Sequence, residues 1–485
     1  MTPATQPLPA ASVSAWDIET DVLVVGFGCA GASAAIGATE AGGSVTIVER
    51  TGGSGGASAM AGGLIYMGGG TPIQKACGFE DSTEEMFKFL MAACGPAADE
   101  AKVAPYCEDS LAHFDWLVEC GVPFKPSFWS DPAWEPPSDD GLMYSGGENA
   151  HPFNEIAVPA PRAHIPQLQG KVALSKSGGW KLMEKLTARV AALGVKTVTD
   201  TRVERLVIDS DGAVVGAIGR RFGEPLAMRA RRGVILSAGG FIYNDEMLQQ
   251  HAPLLVGNGK VGVDTDDGSG IRMAQAVGAA VKRMDGGEAT ILTSPALLVR
   301  SILVNRYGQR FINEDAYPGR VGQTAFFKQG GDVFLIFEGE VFDAIPADLR
   351  GPWLKQPTHV AETIEELAKD LGLPPGSLEH TVAVYNENAA RGEDPLCHKA
   401  SQWLTPLQGP FGAIDQRMLG YRSFTLGGLD TTPRGEVRSV DGEPIPGLFA
   451  AGRTTSGIPA SGYVSGTSLG DGTFFGRRAG RAAVR

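Results

Sequence analysis

One stretch restricts the fold of this chain more than any other: the apolar run 22–25, then Gly26-Phe-Gly28-Cys-Ala30-Gly31, then small residues as far as Ala41. Four consecutive apolar residues read as a strand buried on both faces. The glycines match G-x-G-x-x-G: a tight turn, close approach of backbone to a pyrophosphate, and close packing of helix on strand. The helix that follows points its N-terminal amides and the positive end of its dipole at the phosphates. Val45 to Val48 reads as the next strand, and Glu49 at its end is placed to accept from a ribose hydroxyl. The acid falls about 20 residues beyond the glycines, the spacing of a βαβ unit. Strand, turn, helix, strand and acid in that order predict a dinucleotide site on an α/β sheet. A structural glycine cluster is the competing reading.

At 485 residues the chain exceeds one ordinary core, so two domains are expected. Its net charge of −13 argues against a nucleic-acid partner or an anionic membrane surface. None of the six cysteines forms a C-x-x-C, and Cys29 lies inside the dinucleotide turn, which suggests free thiols in a reducing cytosol and a cytoplasmic protein. The glycines and the flanking Asp21 and Glu40 fit a βα unit better than a membrane span over 22–41. Residues 1–16 lack a basic start and a long apolar run, and read as a flexible tail rather than a signal peptide.

Beyond Glu49 and Arg50, the small residues 51–63 (with Ser54, Gly56, Ser58, Gly62 and Gly63) lay bare backbone against a large flat ligand, or else form a flexible linker. Residues 81–121 are helical in pattern, with a helix opening at Ser82 and another near 105–120. The Pro-, Trp- and His-rich stretch 122–170 lacks periodicity, and its His151 and His164 are not spaced as metal ligands. A helix from Gly178 leads into strand-like segments that end at Gly233–Leu236, followed by Ala238-Gly239-Gly240. Asp267-Gly268 starts a helix at a turn, another phosphate or ribitol contact. From about 282 to 414 the pattern changes, and this reads as an inserted second domain. The first domain then resumes with Gly447 to Gly452, the loop Ser461-Gly-Tyr463-Val-Ser465-Gly, and a last helix.

Together these motifs resemble the succinate dehydrogenase/fumarate reductase flavoprotein superfamily, which includes the 3-ketosteroid dehydrogenases. The resemblance covers about 17–485. It implies a Rossmann-like FAD-binding domain, a parallel sheet with helices and a β-meander, in two parts (17–281 and 415–485), with an α+β capping and catalytic domain (282–414) inserted between. FAD would be bound without a covalent link. The resemblance puts Gly26, Gly28, Ala30 and Gly31 at the pyrophosphate, Glu49 with Arg50 at the ribose, and Ser54 to Gly63 beside the flavin. Ala238 and Gly239 would lie near the adenine half, with Asp267 as a further contact. Gly452, Ser468 and Leu469 would lie near the ring.

Within that superfamily the dicarboxylate branch carries His-Thr-x-Gly-Gly, where this chain has Phe424-Thr-Leu-Gly-Gly, and an arginine where this chain has Ser468. Two polar clamps are absent, so an apolar substrate is expected. Tyr317, Tyr463 and Ser465 resemble the 3-ketosteroid dehydrogenases, and the Tyr463/Ser465 pair resembles most closely the Δ4-(5α) type. The implied reaction is 4,5-desaturation of a 5α-3-ketosteroid by proton abstraction at C4 and hydride transfer to flavin N5, with an external electron acceptor. Tyr463 and a backbone amide around Thr467 would meet the ketone oxygen. Ser465, helped by Tyr317 or Tyr463, would relay the proton, although serine and tyrosine are weak bases near neutrality. The alternatives are Δ1-desaturation, a fumarate-reductase-like flavoenzyme on a polar acid, and a non-catalytic or RNA-associated dinucleotide-binding protein.

Overall fold

The apolar run forms the strand Ile18–Val25, hydrogen-bonded in parallel to Val45–Val48 on one edge and to Glu224–Leu236 on the other. Its side chains alternate between two cores. Val22 and Val24 join one with Ile36, Leu182 and Leu186, and Leu23 and Val25 join another with Leu236, Phe241 and Ile271. A strand covered on both faces has no need of polar residues, hence the unbroken apolar run. The computed structural model describes residues 6–168, 176–346, 349 and 356–485. Residues 1–5 and 169–170, parts of the stretches discussed above, lie outside these.

The parallel part of the sheet runs Pro444–Ala450, Glu224–Leu236, Ile18–Val25, Val45–Val48, Lys196–Val198. The long strand Glu224–Leu236 shares one edge between Pro444–Ala450 at its C-terminal end and the antiparallel Val214–Arg221 at its N-terminal end. Val214–Arg221 pairs in turn with Thr201–Ile208. The tail expected over 1–16 is corrected here: Leu8–Pro9 adds a parallel edge to Thr201–Ile208, at Val207 and Ile208. Arg205 Nε adds a hydrogen bond to Gln6 O at 2.6 Å, so backbone groups dock a segment that has no apolar pattern of its own.

The helix Cys29–Glu40 lies along the last helix, Thr467–Val484, on one face of the sheet. Gly472, Gly476 and Gly480, one turn apart, form the contact. A Cβ at Gly472 would stand 2.9 Å from Cys29 Sγ, and at Gly476 and Gly480 it would collide with the carbonyls of Ala30 and Ala34. The match of 472 to 29–30 and 480 to 34 makes the two helices run the same way. Their N-termini therefore open at the same end of the sheet.

The single helix expected near 105–120 is two: Glu100–Glu108, with Pro105 inside it, and Ser110–Glu119. The break serves two cores, since Val103, Tyr106 and Cys107 pack with Phe89 and Phe475, whereas Phe114, Trp116 and Leu117 pack with Ile65 and Leu182.

Within 282–414 the strands Ile302–Asn305, Val333–Glu338 and His359–Ala361 form an antiparallel sheet with Phe411–Asp415. The helices Ile364–Asp370 and Ser377–Ala389 cover one face through Leu367, Leu378 and Val382. A smaller sheet, Gly259–Lys260, Tyr421–Thr425 and Gly287–Ile291, links this unit to the first. Among the described residues no helix is long and apolar enough to cross a membrane.

Glu314 ties the strand Ile302–Asn305 to Arg310. Its side chain is 0% exposed, takes two hydrogen bonds from Arg310 (3.0 and 2.7 Å), and accepts from the Leu303 amide at 2.9 Å. Asp394 and Lys399 complete the network. Removing one member of a buried ion pair leaves the other charge uncompensated, so Glu314→Ala should lose about 3–5 kcal/mol in urea unfolding. Unchanged stability would show that the network contributes nothing net.

Candidate functional site

The first turn is built as the glycine spacing requires. Gly26 has φ +103, and a Cβ there would meet Ser237 O at 2.5 Å, while a Cβ at Gly31 would collide with Gly26 O. Gly28 caps the helix, and Ser58 Oγ accepts from the Cys29 amide at 3.1 Å. Glu49 does stand at the turn, yet its carboxylate is already engaged: Oε2 accepts from Phe27 N at 2.8 Å and Oε1 from Thr51 N at 2.8 Å. Arg50 and Asp267, far apart in sequence, form an ion pair at 2.7 Å. Burial raises the Asp267 carboxyl, but its bonds to Ser269 and the Arg50 guanidinium outweigh this and hold it low.

Other expected cofactor residues are held by protein. Ser54 is exposed, and its hydroxyl pairs with Thr187 Oγ1 at 2.9 Å. Gly62 leaves room for Glu135, Gly63 abuts the backbone of Gly178, and Gly56 opens the short helix Gly56–Met60. Ala238 and Gly239 follow the strand end at Leu236, with Gly239 O accepting from Thr454 Oγ1 at 3.1 Å. Asp266 rather than Asp267 fills the space beside Gly239, and burial lifts its carboxyl to about 6.

At the far end, Gly452 packs against Ala30, which brings the turn Gly452–Thr454 to the N-terminus of Cys29–Glu40. Leu469 is buried in the core beneath. Three buried polar atoms here lack a hydrogen-bond partner: Arg453 Nε, Arg453 Nη1 and Ser468 Oγ. Unsatisfied buried donors are expensive, and they gather where the two parallel helix N-termini open. The arrangement fits an anionic, acceptor-rich dinucleotide such as FAD. Arg453 follows Gly452 directly and carries no motif of its own in the sequence.

The three residues expected to be catalytic come together beside this end. Tyr317, buried, precedes the helix Pro318–Gln323, and its ring meets Trp134 edge-on at 6.2 Å. Tyr463 and Ser465 stand in the loop before the last helix. Ser465 lies within hydrogen-bonding reach of both phenols, and Ser468 faces Tyr463. The backbone of Ser465 is bracketed by Ser145, whose hydroxyl donates to Ser465 O at 2.8 Å and whose carbonyl accepts from Ser465 N at 3.2 Å. Of the amides around Thr467, that of Thr467 itself is bound to Val464 O at 3.1 Å, which leaves the Ser468 and Leu469 amides at the open first turn.

Burial pushes the Tyr317 phenol well above its ordinary value and raises Tyr463 as well, so both are neutral hydrogen-bond donors near pH 7. Phe424, standing where the dicarboxylate enzymes carry a histidine, meets the Tyr463 ring edge-on at 5.2 Å. Gln323 ties the cluster together: its Oε1 accepts from Tyr463 N at 3.1 Å and its Nε2 donates to Gly287 O at 3.2 Å. His164 is buried, bonds Thr71 at 2.8 Å, and is pushed down to about 4 by burial. Among the described residues no group of His, Cys, Asp and Glu could hold a metal ion.

The family described as FAD binding domain matches residues 21–469. The crystal structure of 3-ketosteroid-Δ4-(5α)-dehydrogenase from Rhodococcus jostii RHA1, in complex with 4-androstene-3,17-dione, is 54% identical with a TM-score of 0.96, over 99% of this chain and 100% of that one. The 3-oxo-5-alpha-steroid 4-dehydrogenase of Comamonas testosteroni is 29% identical over 90% of this chain and 93% of its own length. A probable fumarate reductase of Shewanella frigidimarina is also 29% identical, over 96% of this chain and 75% of its own length.

If close helix packing sets the cofactor end, Gly476→Ala should part the two helices at Ala30. Overpacking of this kind costs about 1–3 kcal/mol, so FAD affinity, read by titrating the apoprotein, should fall about tenfold or more. An unchanged affinity would remove the helix contact from the account.

Proposed function

Because the chain belongs to the FAD binding domain family, and within it stands with the 3-ketosteroid dehydrogenases, we propose that it introduces a 4,5 double bond into a 5α-3-ketosteroid. The observation that carries this reading is Ser465 set between two neutral phenols, with Phe424 and Ser468 in place of the charged clamps that a dicarboxylate needs. When bound, FAD supplies the two-electron acceptor for the desaturation. Arg453, the Ser468 and Leu469 amides and the first turn of Cys29–Glu40 would hold it.

The residues of the chain divide the remaining work. Tyr463, neutral through burial, donates to the 3-keto oxygen and stabilises the enolate that forms as the α proton leaves. Ser465 receives the proton from C4 and hands its own to Tyr317, so that neither hydroxyl needs to become a strong base at rest. Trp134 and Phe424 flank the phenols with apolar surface suited to a steroid and exclude water. An external electron acceptor completes the cycle.

Anaerobic mixing of the yellow protein with a saturated 5α-3-ketosteroid should bleach the flavin and yield a 4-ene-3-one. Bleaching only with a 4-ene-3-ketosteroid would point to Δ1 chemistry, and bleaching with neither would overturn the steroid reading. Tyr463→Phe and Ser465→Ala should each slow bleaching by about 10²–10³-fold while the flavin stays bound. Full-rate variants would remove these residues from the reaction.

A further inference from the structure

A relay through Ser465 and Tyr317 must end on a group that can keep a proton, and neither hydroxyl can. Glu288 lies within the same cluster. It is the second residue of the strand Gly287–Ile291, directly across from Phe424, whose ring contacts Tyr463. Its carboxyl and the Tyr317 ring flank one backbone position: a Cβ on Gly319 would lie 2.5 Å from Tyr317 Cε1 and 2.7 Å from Glu288 Oε1. The Gln323 bridge from Gly287 O to Tyr463 N holds the strand and the loop in register around it.

Glu288 is only 2% exposed, and its Oε2 has no hydrogen-bond partner among the described residues. Other buried carboxyls have charged or backbone partners: Glu314 is paired with Arg310, and Glu148, whose Oε1 also lacks a partner, takes the Ser145 and Gly146 amides on Oε2. An unpaired one is costly and serves no packing purpose that an apolar residue would not serve better. Glu288 has no charged partner; the one side chain that hydrogen-bonds it is Thr290, two residues along the same strand.

We infer that Glu288 is the proton-holding partner of Tyr317 and Ser465, an inference that rests on the desaturation reading above. The C4–H bond breaks and its electron pair stays on the substrate as the enolate. The C4 proton forms a new O–H on Ser465, the Ser465 proton passes to Tyr317, and the Tyr317 proton protonates the Glu288 carboxylate. The acid so formed loses its proton to water after product leaves. Glu288 acts through Tyr317 and does not touch the steroid, so it is a positioning residue.

Burial holds the Glu288 carboxyl well above the usual carboxylate range. It is therefore a far stronger base, once ionised, than an exposed glutamate. Tyr317, Tyr463 and Thr290 face it, Glu148 faces Tyr317 as well, and Arg453 acts on Tyr463. Since the working form is the carboxylate, the reaction should speed up as pH rises through this elevated pKa.

The test is the pH profile of flavin bleaching by a 5α-3-ketosteroid, measured on the FAD-loaded protein. The wild type should show a rising alkaline limb. Glu288→Gln should abolish the limb and slow bleaching about 10²-fold while steroid affinity is kept, Glu288→Asp should restore the limb at reduced rate, and Glu148→Gln should retain it. A wild-type rate and profile in Glu288→Gln would overturn the inference, and loss of the limb only in Glu148→Gln would move the proton to that residue. Should Glu288→Gln fail to hold FAD, infrared difference spectra of the wild type decide: steroid addition above the limb's midpoint should produce a protonated-carboxyl band, and its absence would overturn the inference. If the wild type does not bleach with steroid at all, it is the desaturation reading that falls.

Discussion

The contact between the helices Cys29–Glu40 and Thr467–Val484 is the constraint on which the site depends. Gly472, Gly476 and Gly480 let the last helix lie with its backbone against the carbonyls of Ala30 and Ala34. A side chain at any of the three would hold the helices apart by roughly the width of a methyl group or more. Because the helices run parallel, two sets of unpaired amides and two positive dipole ends meet at one edge of the sheet. Gly452 against Ala30 draws in Arg453, and the loop before the last helix places Tyr463 and Ser465 there too. The cofactor end and the side chains proposed to react are thus positioned by one packing event.

Electrostatics then separates structure from chemistry. Arg310, Glu314 and Asp394 form a compensated, hydrogen-bonded network that braces the second unit. Burial acts on Tyr317, Tyr463 and Glu288 without an ion pair and raises all three, which leaves the two phenols neutral near pH 7. Neutral groups in an apolar setting suit a ketone with a large hydrocarbon body. They would serve poorly for a dianion, which asks for fixed cations. Phe424 on Tyr463 states the same preference in packing terms.

Much of this was legible in the chain. The run 22–25, the spacing of Gly26, Gly28 and Gly31, and the acid at 49 follow from local backbone geometry, which residue type controls directly. Tyr317, Tyr463 and Ser465 were singled out through their resemblance to a family, not by any local backbone signal. Other features had no local signal. Leu8–Pro9 docks through backbone alone, the break at Asp109 is imposed by two cores competing for one segment, and the Thr467 amide is taken by its own turn. Glu49 turned out to carry bonds to Phe27 and Thr51, a detail of turn closure that spacing does not encode.

The sequence by itself determined the dinucleotide fold, which rests on periodicity and glycine spacing, while the character of the site came from the resemblance that Phe424, Ser468, Tyr463 and Ser465 carry. Only the tertiary structure decided which residues meet. Glu288, Phe424, Gln323 and Tyr463 come from separate elements, and cross-strand pairing of Gly287–Ile291 with Tyr421–Thr425 brings the first two face to face. A glutamate in a sequence is an ordinary surface residue until a fold removes its water and withholds a partner. Desolvation depends on everything packed around a group, and no single stretch of chain carries that information.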